Sequence, residues 1–93
     1  MKFTRLNPMT GEIASEAEAM KAADIPPVAR RAAAAFPAWS ALGPNARRAV
    51  LMKAAAALEA KKDQFVEAMM GEIGATAGWA MFNLGLAASM VRE

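Results

Sequence analysis

Cysteine, histidine and tyrosine are all missing from this chain of 93 residues. Without cysteine there is no disulfide framework and no thiolate, whether as nucleophile or as metal ligand. Without histidine no Ser–His–Asp constellation can be built. The two absences together remove zinc and haem sites, and no acidic run has the spacing of a calcium loop. Neither a GxGxxG pattern nor a P-loop is present, so no segment is marked for a dinucleotide or a triphosphate. None of these patterns marks a catalytic, cofactor-binding or metal-binding residue in the sequence.

Large apolar side chains are scarce too. Phe, Leu, Ile and Val together number 17, against 25 alanines. Alanine lets helices approach closely but buries little area, whereas each large side chain contributes roughly 1.5–3 kcal/mol on burial. Eight methionines add adaptable filler that specifies packing weakly. One small domain at most is expected, with a thin core. The net charge is +2 with both signs interspersed. Arg30-Arg31, Arg47-Arg48 and Lys61-Lys62 are pairs rather than a patch, and aromatics for base stacking are few, so no footprint for nucleic acid exists. These pairs read as solvated helix faces. The N-terminus lacks the basic-then-apolar order of a signal peptide, and a soluble cytoplasmic location is expected.

Asn7-Pro8-Met9-Thr10-Gly11-Glu12 separates two short mixed runs, Phe3 to Leu6 and Glu12 to Ala17. Pro8 presets φ near −65°, Gly11 accepts positive φ, and Asn7 can hydrogen-bond the turn backbone. The segment predicts a β-hairpin over residues 1–17. Helices are expected over 24–93. Asp24 is placed to cap the first, with Pro26 and Pro27 in its opening turn. That helix is expected over Val28 to Phe36, ended by Pro37, with Trp39 to Pro44 as the link. Pro44 then opens a second helix, whose residues Val50, Leu51, Ala54, Ala57 and Leu58 share a face. Phe65, Val66, Met69, Met70 and Ile73 continue the pattern after a break near Asp63, and Gly74 is the stop.

The last segment differs. No charge occurs between Glu72 and Arg92. Trp79, Phe82, Leu86 and Met90 form one helical stripe, and Met81, Leu84, Ala88 and Val91 another. A helix apolar on most of its circumference belongs in a core or a membrane. Asn83, Thr76, Ser89 and the glycines make the span too mildly hydrophobic for the membrane. The sequence stops at Val91-Arg92-Glu93 without a terminator, as if cut within a helix.

Three segments, in order, carry a resemblance. Asn7 to Glu12 resembles the "NPxTGE" turn of the NAD(P)-dependent aldehyde dehydrogenases. Ala32 to Ser40, ending Phe36-Pro37-Ala38-Trp39-Ser40, is similar to their "A-AFxxW" helix end, and Arg47 to Leu58 to the following "RxxxLxxxAxxL" helix. Glu72-Ile73-Gly74 stands where the family has "ETGK". The run Gly78-Trp79-Ala80-Met81-Phe82-Asn83 resembles the branch acting on aromatic aldehydes, such as salicylaldehyde, benzaldehyde and vanillin. Pro26-Pro27 is unusual for the family, so the first helix is expected to begin later.

The resemblance implies a mainly α piece with an N-terminal β-hairpin, cut from an α/β, Rossmann-type enzyme that is a homo-oligomer. It implies a cysteine thiolate attacking the aldehyde, hydride transfer to NAD or NADP, and a Glu that activates water. An Asn in an N–H-rich hole would steady the oxyanion. All of these lie beyond the positions matched here. The 93 residues alone are expected to be inactive and poorly stable, to bind no cofactor, and to contact neither nucleic acid nor membrane. Glu12, Glu67 and Glu72 are read as solvated or capping carboxylates. Phe82, Asn83, Leu86 and, nearby, Trp79 are candidates for lining the substrate tunnel of the parent enzyme. Three other readings stay open: a freestanding helical protein-interaction module, a membrane-associated helix hairpin, and an accessory piece completing a separately encoded remainder.

Overall fold

The opening turn is held by its own side chains. In the computed structural model, which describes residues 1–93, Asn7 Oδ1 accepts hydrogen bonds from the backbone N–H of Met9 at 2.8 Å and of Thr10 at 3.3 Å. Gly11 donates to the Asn7 carbonyl at 2.8 Å with φ of +78°, a conformation that glycine adopts without a Cβ clash. This turn joins β1 (Lys2–Leu6) to β2 (Ile13–Glu18) as an antiparallel pair. The register pairs Lys2 with Glu18 and Arg5 with Ser15, then shifts so that Leu6 faces Ile13. That shift leaves Ala14 as the extra residue of a bulge. The hairpin expected over residues 1–17 is present.

Four helices follow a short 3-10 turn at Ala22–Asp24: α1 (Ile25–Ala41), α2 (Pro44–Ala60), α3 (Lys62–Ile73) and α4 (Ala77–Arg92). The chain is thus mostly helical with a two-stranded hairpin at its N-terminus. Pro44 occupies the first helical position of α2 behind Gly43, as its fixed φ favours. Gly74 closes α3 in the left-handed region, φ +69°, and its N–H reaches back to Met70.

The first helix departs from expectation at both ends. It begins at Ile25, ahead of Pro26-Pro27 rather than after them. Prolines in the opening turn cost little, because those N–H groups have no intrahelical partner. The same prolines also change the cap. With Ile25 as first residue, the positions whose N–H groups an Asp24 cap would normally serve are Pro26 and Pro27, which have none. Asp24 Oδ2 instead accepts from the Lys21 N–H at 2.8 Å, closing the 3-10 turn. At the far end, Pro37 does not stop the helix, which runs on to Ala41. Its last turn is held from outside. Arg47 of α2 donates through Nη1 to the carbonyls of Leu42 at 2.7 Å and Ser40 at 3.3 Å. Arg47 is therefore a clamp on the end of α1 rather than part of a solvated face.

The core lies where α4 packs against α2 and α3. Ala55, Ala80 and Ala88 are fully buried and Leu84 is 6 % exposed; no other residue is buried. Alanine on both sides lets the helix axes approach closely. In α2 the buried position is Ala55, while Val50 and Leu51 of the expected face stay over 40 % exposed. At the open ends of α2 and α4, Arg92 grips Glu59 with two bonds, Nη1 to Oε1 at 2.7 Å and Nη2 to Oε2 at 2.6 Å. The hairpin leans on α3, where Arg5 Nε approaches Glu72 Oε2 at 3.8 Å.

The result is a slab of 48 × 36 × 15 Å, scarcely more than one helix thick. Its radius of gyration is 17.1 Å, where about 12 Å is usual for a folded domain of this length. Its accessible surface is 7212 Å² at 9.8 kDa, against roughly 5,200 Å² for a compact monomer of that mass.

Candidate functional site

The uncharged run after Glu72 becomes α4, and its start is fixed by Thr76. The Thr76 hydroxyl accepts from the Trp79 N–H at 3.2 Å, and its carbonyl accepts from Ala80 at 3.0 Å. This N-cap was not singled out in the sequence, although a threonine two residues before a glycine and an apolar run is a recognisable start signal. Packing against α2 and α3 sets which face of the helix turns inward. Of the two stripes, Leu84 and Ala88, joined by Ala80, turn inward. Trp79, Phe82, Leu86 and Met90 turn the other way and stay 58, 57, 46 and 68 % exposed.

Three of the four tunnel candidates thus share one outward surface. Trp79 and Phe82 stack, with ring centroids 5.6 Å apart and planes 27° from parallel, a geometry that aromatic quadrupoles favour. Leu86 continues the strip one turn on. Asn83 is half-buried at its edge. Its Nδ2 donates to the Trp79 carbonyl at 2.9 Å, which uses the amide locally and leaves Oδ1 as the free acceptor. The surface can offer a flat apolar wall with one polar edge. It holds no nucleophile and no general base.

A second concave region lies between the hairpin and α3, an open cleft of about 380 Å³. Glu12, Glu67 and Glu72 all border it. The structure brings these carboxylates to one place, which the sequence did not show. Glu72 is turned toward Arg5, and no nucleophilic or imidazole side chain stands among them.

The Glu59 carboxyl is held below its ordinary value, first by the hydrogen bonds from Arg92 and then by the charge of that guanidinium, with desolvation opposing. Arg92 is correspondingly raised. The pair ties two helix ends together and faces solvent.

A profile of the aldehyde dehydrogenase family matches residues 1–93. The chain belongs to the aldehyde dehydrogenase family. A vanillin dehydrogenase from Pseudomonas fluorescens is 50 % identical over 91 residues, which is 98 % of this chain and 19 % of that protein. A salicylaldehyde dehydrogenase from Pseudomonas putida is 37 % identical over 91 residues, with the same two coverages. The solved structure of a salicylaldehyde dehydrogenase from Pseudomonas putida G7, complexed with salicylaldehyde, superposes with a TM-score of 0.93 at 36 % identity. That superposition covers 99 % of this chain and 19 % of the solved one. The chain therefore spans about a fifth of the length of these relatives.

Members of the family generally use NAD(P). A pyrophosphate needs free N–H groups at a helix start, and α1 opens on Pro26-Pro27, which have none. No glycine-rich strand-to-helix turn occurs either. No α-helix is long and apolar enough to cross a membrane.

Proposed function

We propose that this chain forms the N-terminal shell of a cytoplasmic, homo-oligomeric enzyme that oxidises an aromatic aldehyde to the carboxylic acid with NAD(P)+. In this reading the thiolate, the base and the Rossmann-type domain belong to the four-fifths of the relatives' length that these residues do not span. By itself the 93-residue chain turns over no aldehyde and binds no dinucleotide, since it has no cysteine and no cradle for a pyrophosphate.

The role of this segment would be to shape the path of the aldehyde. The observation that carries the proposal is the outward Trp79–Phe82 stack with Leu86 beside it. Indole, phenyl and isobutyl groups present a continuous apolar wall. An aromatic aldehyde sliding along it keeps van der Waals contact through its ring face, while a short aliphatic aldehyde touches little of it. The free Oδ1 of Asn83 at the margin suits a ring hydroxyl. The vanillin and salicylaldehyde dehydrogenases among the relatives support an aromatic substrate.

The test is a graft. The matching first fifth of the salicylaldehyde dehydrogenase from Pseudomonas putida is replaced by these 93 residues. kcat/KM is then measured for salicylaldehyde, vanillin and a short aliphatic aldehyde. Phe82→Ala should reduce the preference for the aromatic substrates about tenfold, the lower end of what an apolar contact discriminates. An unchanged preference refutes the tunnel role.

A further inference from the structure

The hairpin rests on the last turn of α3. A Cβ built on Gly74 would stand 3.1 Å from Pro8 Cγ and 3.8 Å from Met9 Sδ, and one built on Gly71 would stand 3.9 Å from Ala14 Cβ. Between these two glycines Arg5 reaches Glu72 at 3.8 Å. The turn of the hairpin and its bulge thus sit against two positions three residues apart on α3, which share a face. The part that presses is stiff. Pro8 fixes its own φ. The Asn7 N–H donates to the Glu12 carbonyl at 2.8 Å, and the Glu12 N–H to the Thr10 hydroxyl at 3.2 Å. With the two bonds to Asn7 Oδ1, they close the turn around the proline.

The part that is pressed is the corner where α4 begins. The Gly74 N–H donates to the Met70 carbonyl at 3.1 Å and the Ala75 N–H to the Met69 carbonyl at 3.4 Å, the paired bonds of a Schellman ending. Ala75 alone separates Gly74 from the Thr76 cap, which holds the Trp79 N–H. Helix packing chooses the inward face of α4 but leaves the corner work to do. Three of the four buried residues are alanines, and a core of such flat contacts specifies position weakly. The far end of α4 is tied by Arg92 to Glu59. The near end, where the Trp79–Phe82 stack stands, is tied through Gly74.

We propose that Pro8 is a positioning residue for that stack: seated on Gly74, it fixes the angle at which α4 leaves α3 and so the placement of the two rings. The consequence for substrate selection rests on the reading under Proposed function. Small displacements of a positioning group are costly to catalysis even from a distance. Neither Pro8 nor Gly74 touches the aldehyde in this account; both act through Trp79 and Phe82.

Two readouts test it. The first is the ¹⁹F resonance of fluorotryptophan at position 79 in the graft described above, identified by its loss in Trp79→Phe. Pro8→Ala should shift that resonance, while Lys2→Ala, at the far end of the hairpin, should leave it in place. Gly74→Ala should shift it too, and adding Pro8→Ala should relieve part of that shift. The backbone strain at residue 74 is the same in both, so the relief reports the ring contact alone. An unmoved resonance in Pro8→Ala overturns the proposal, as does an equal shift in Lys2→Ala. If the graft is not recovered, the resonance is read in the 93-residue chain, whose two tryptophans are told apart by the same variant.

The second readout is kcat/KM in the graft for salicylaldehyde and a short aliphatic aldehyde. Pro8→Ala should lower the preference for salicylaldehyde by no more than about tenfold, the loss expected for removing the Phe82 ring itself. With Trp79 and Phe82 both replaced by alanine, Pro8→Ala should have no further effect. An equal loss for the aliphatic aldehyde, or one that persists without the two rings, marks a general weakening and overturns the proposal. The two readings fail separately. A shifted resonance in a graft whose preference ignores Phe82→Ala keeps the positioning role and sinks the tunnel role. A preference that falls in Phe82→Ala while Pro8→Ala leaves the resonance still does the reverse.

Discussion

Replacing Gly74 with alanine tests how the hairpin is joined to the helices. Gly74 ends α3 with φ of +69°. A Cβ there would stand 3.1 Å from Pro8 Cγ, inside ordinary contact distance, and 3.6 Å from Met9 Cγ, in ordinary contact. Two costs follow. The left-handed backbone costs an alanine about 1–2 kcal/mol. The contact with Pro8 adds to this, because a proline ring in a turn held by Asn7 cannot swing away. Gly11 provides the control. It has φ of +78° with nothing within 4 Å of its Cβ position, so Gly11→Ala incurs the backbone cost alone. Gly74→Asn separates the terms in the other direction, since asparagine tolerates this backbone but keeps the Cβ. Urea unfolding followed by far-ultraviolet circular dichroism reads the series. The expected order of midpoints is wild type, then Gly11→Ala, then Gly74→Ala, with Gly74→Asn above Gly74→Ala. A Gly74→Ala midpoint equal to that of Gly11→Ala would show that the turn does not press on α3. A midpoint at or above wild type would refute the whole argument.

Leu84→Ala removes the one large side chain of the core and should cost about 2–3 kcal/mol, at the low end for such cavities because solvent is near; a urea midpoint within error of wild type would contradict the packing of α4. Pro37→Ala restores an N–H inside α1 and should raise helicity at 222 nm, in keeping with the roughly 3 kcal/mol proline penalty of helix interiors. Arg47→Ala should release the last turn of α1, seen as faster exchange at residues 38–42 with α2 unchanged. The Glu59–Arg92 pair gives a pH signature. Because the folded Glu59 carboxyl titrates below its ordinary value, its stabilisation is complete above that value and fades as pH falls through the folded one. Wild type should therefore lose its margin over Glu59→Gln only in acid, and the margin should shrink with salt.

Much of the local structure was legible. Asn7, Pro8 and Gly11 each act within the turn itself, so the hairpin follows from turn chemistry alone. Gly43-Pro44 and Gly74 mark helix ends by backbone preference, and they do so in the structure. The failures have one cause, an influence arriving from elsewhere in the chain. Pro37 favours a stop, because its local effect is to break a helix. In the structure the helix continues to Ala41, and a guanidinium from α2, ten residues on from Pro37, meets the carbonyls at its end. Arg47 itself reads as a solvated charge in the sequence, since nothing adjacent to it reveals the carbonyls it meets. The capping role of Asp24 failed for a nearer reason: the prolines that announced the helix also removed the donors the cap needs.

What the sequence by itself determined is therefore the punctuation, the absence of any cysteine or histidine, and the kinship with the aldehyde dehydrogenases. These depend on residue identity and short spacing, which no packing can alter. The tertiary structure alone decided direction. Two apolar stripes were equally visible on α4, and periodicity could not rank them. The alanines at 55, 80 and 88 settled it by letting α2 and α4 close together, which turned Leu84 inward and Trp79, Phe82 and Leu86 outward. Which face of a helix is a core and which is a working surface depends on what the neighbouring helices can approach, and that is a property of the assembled chain.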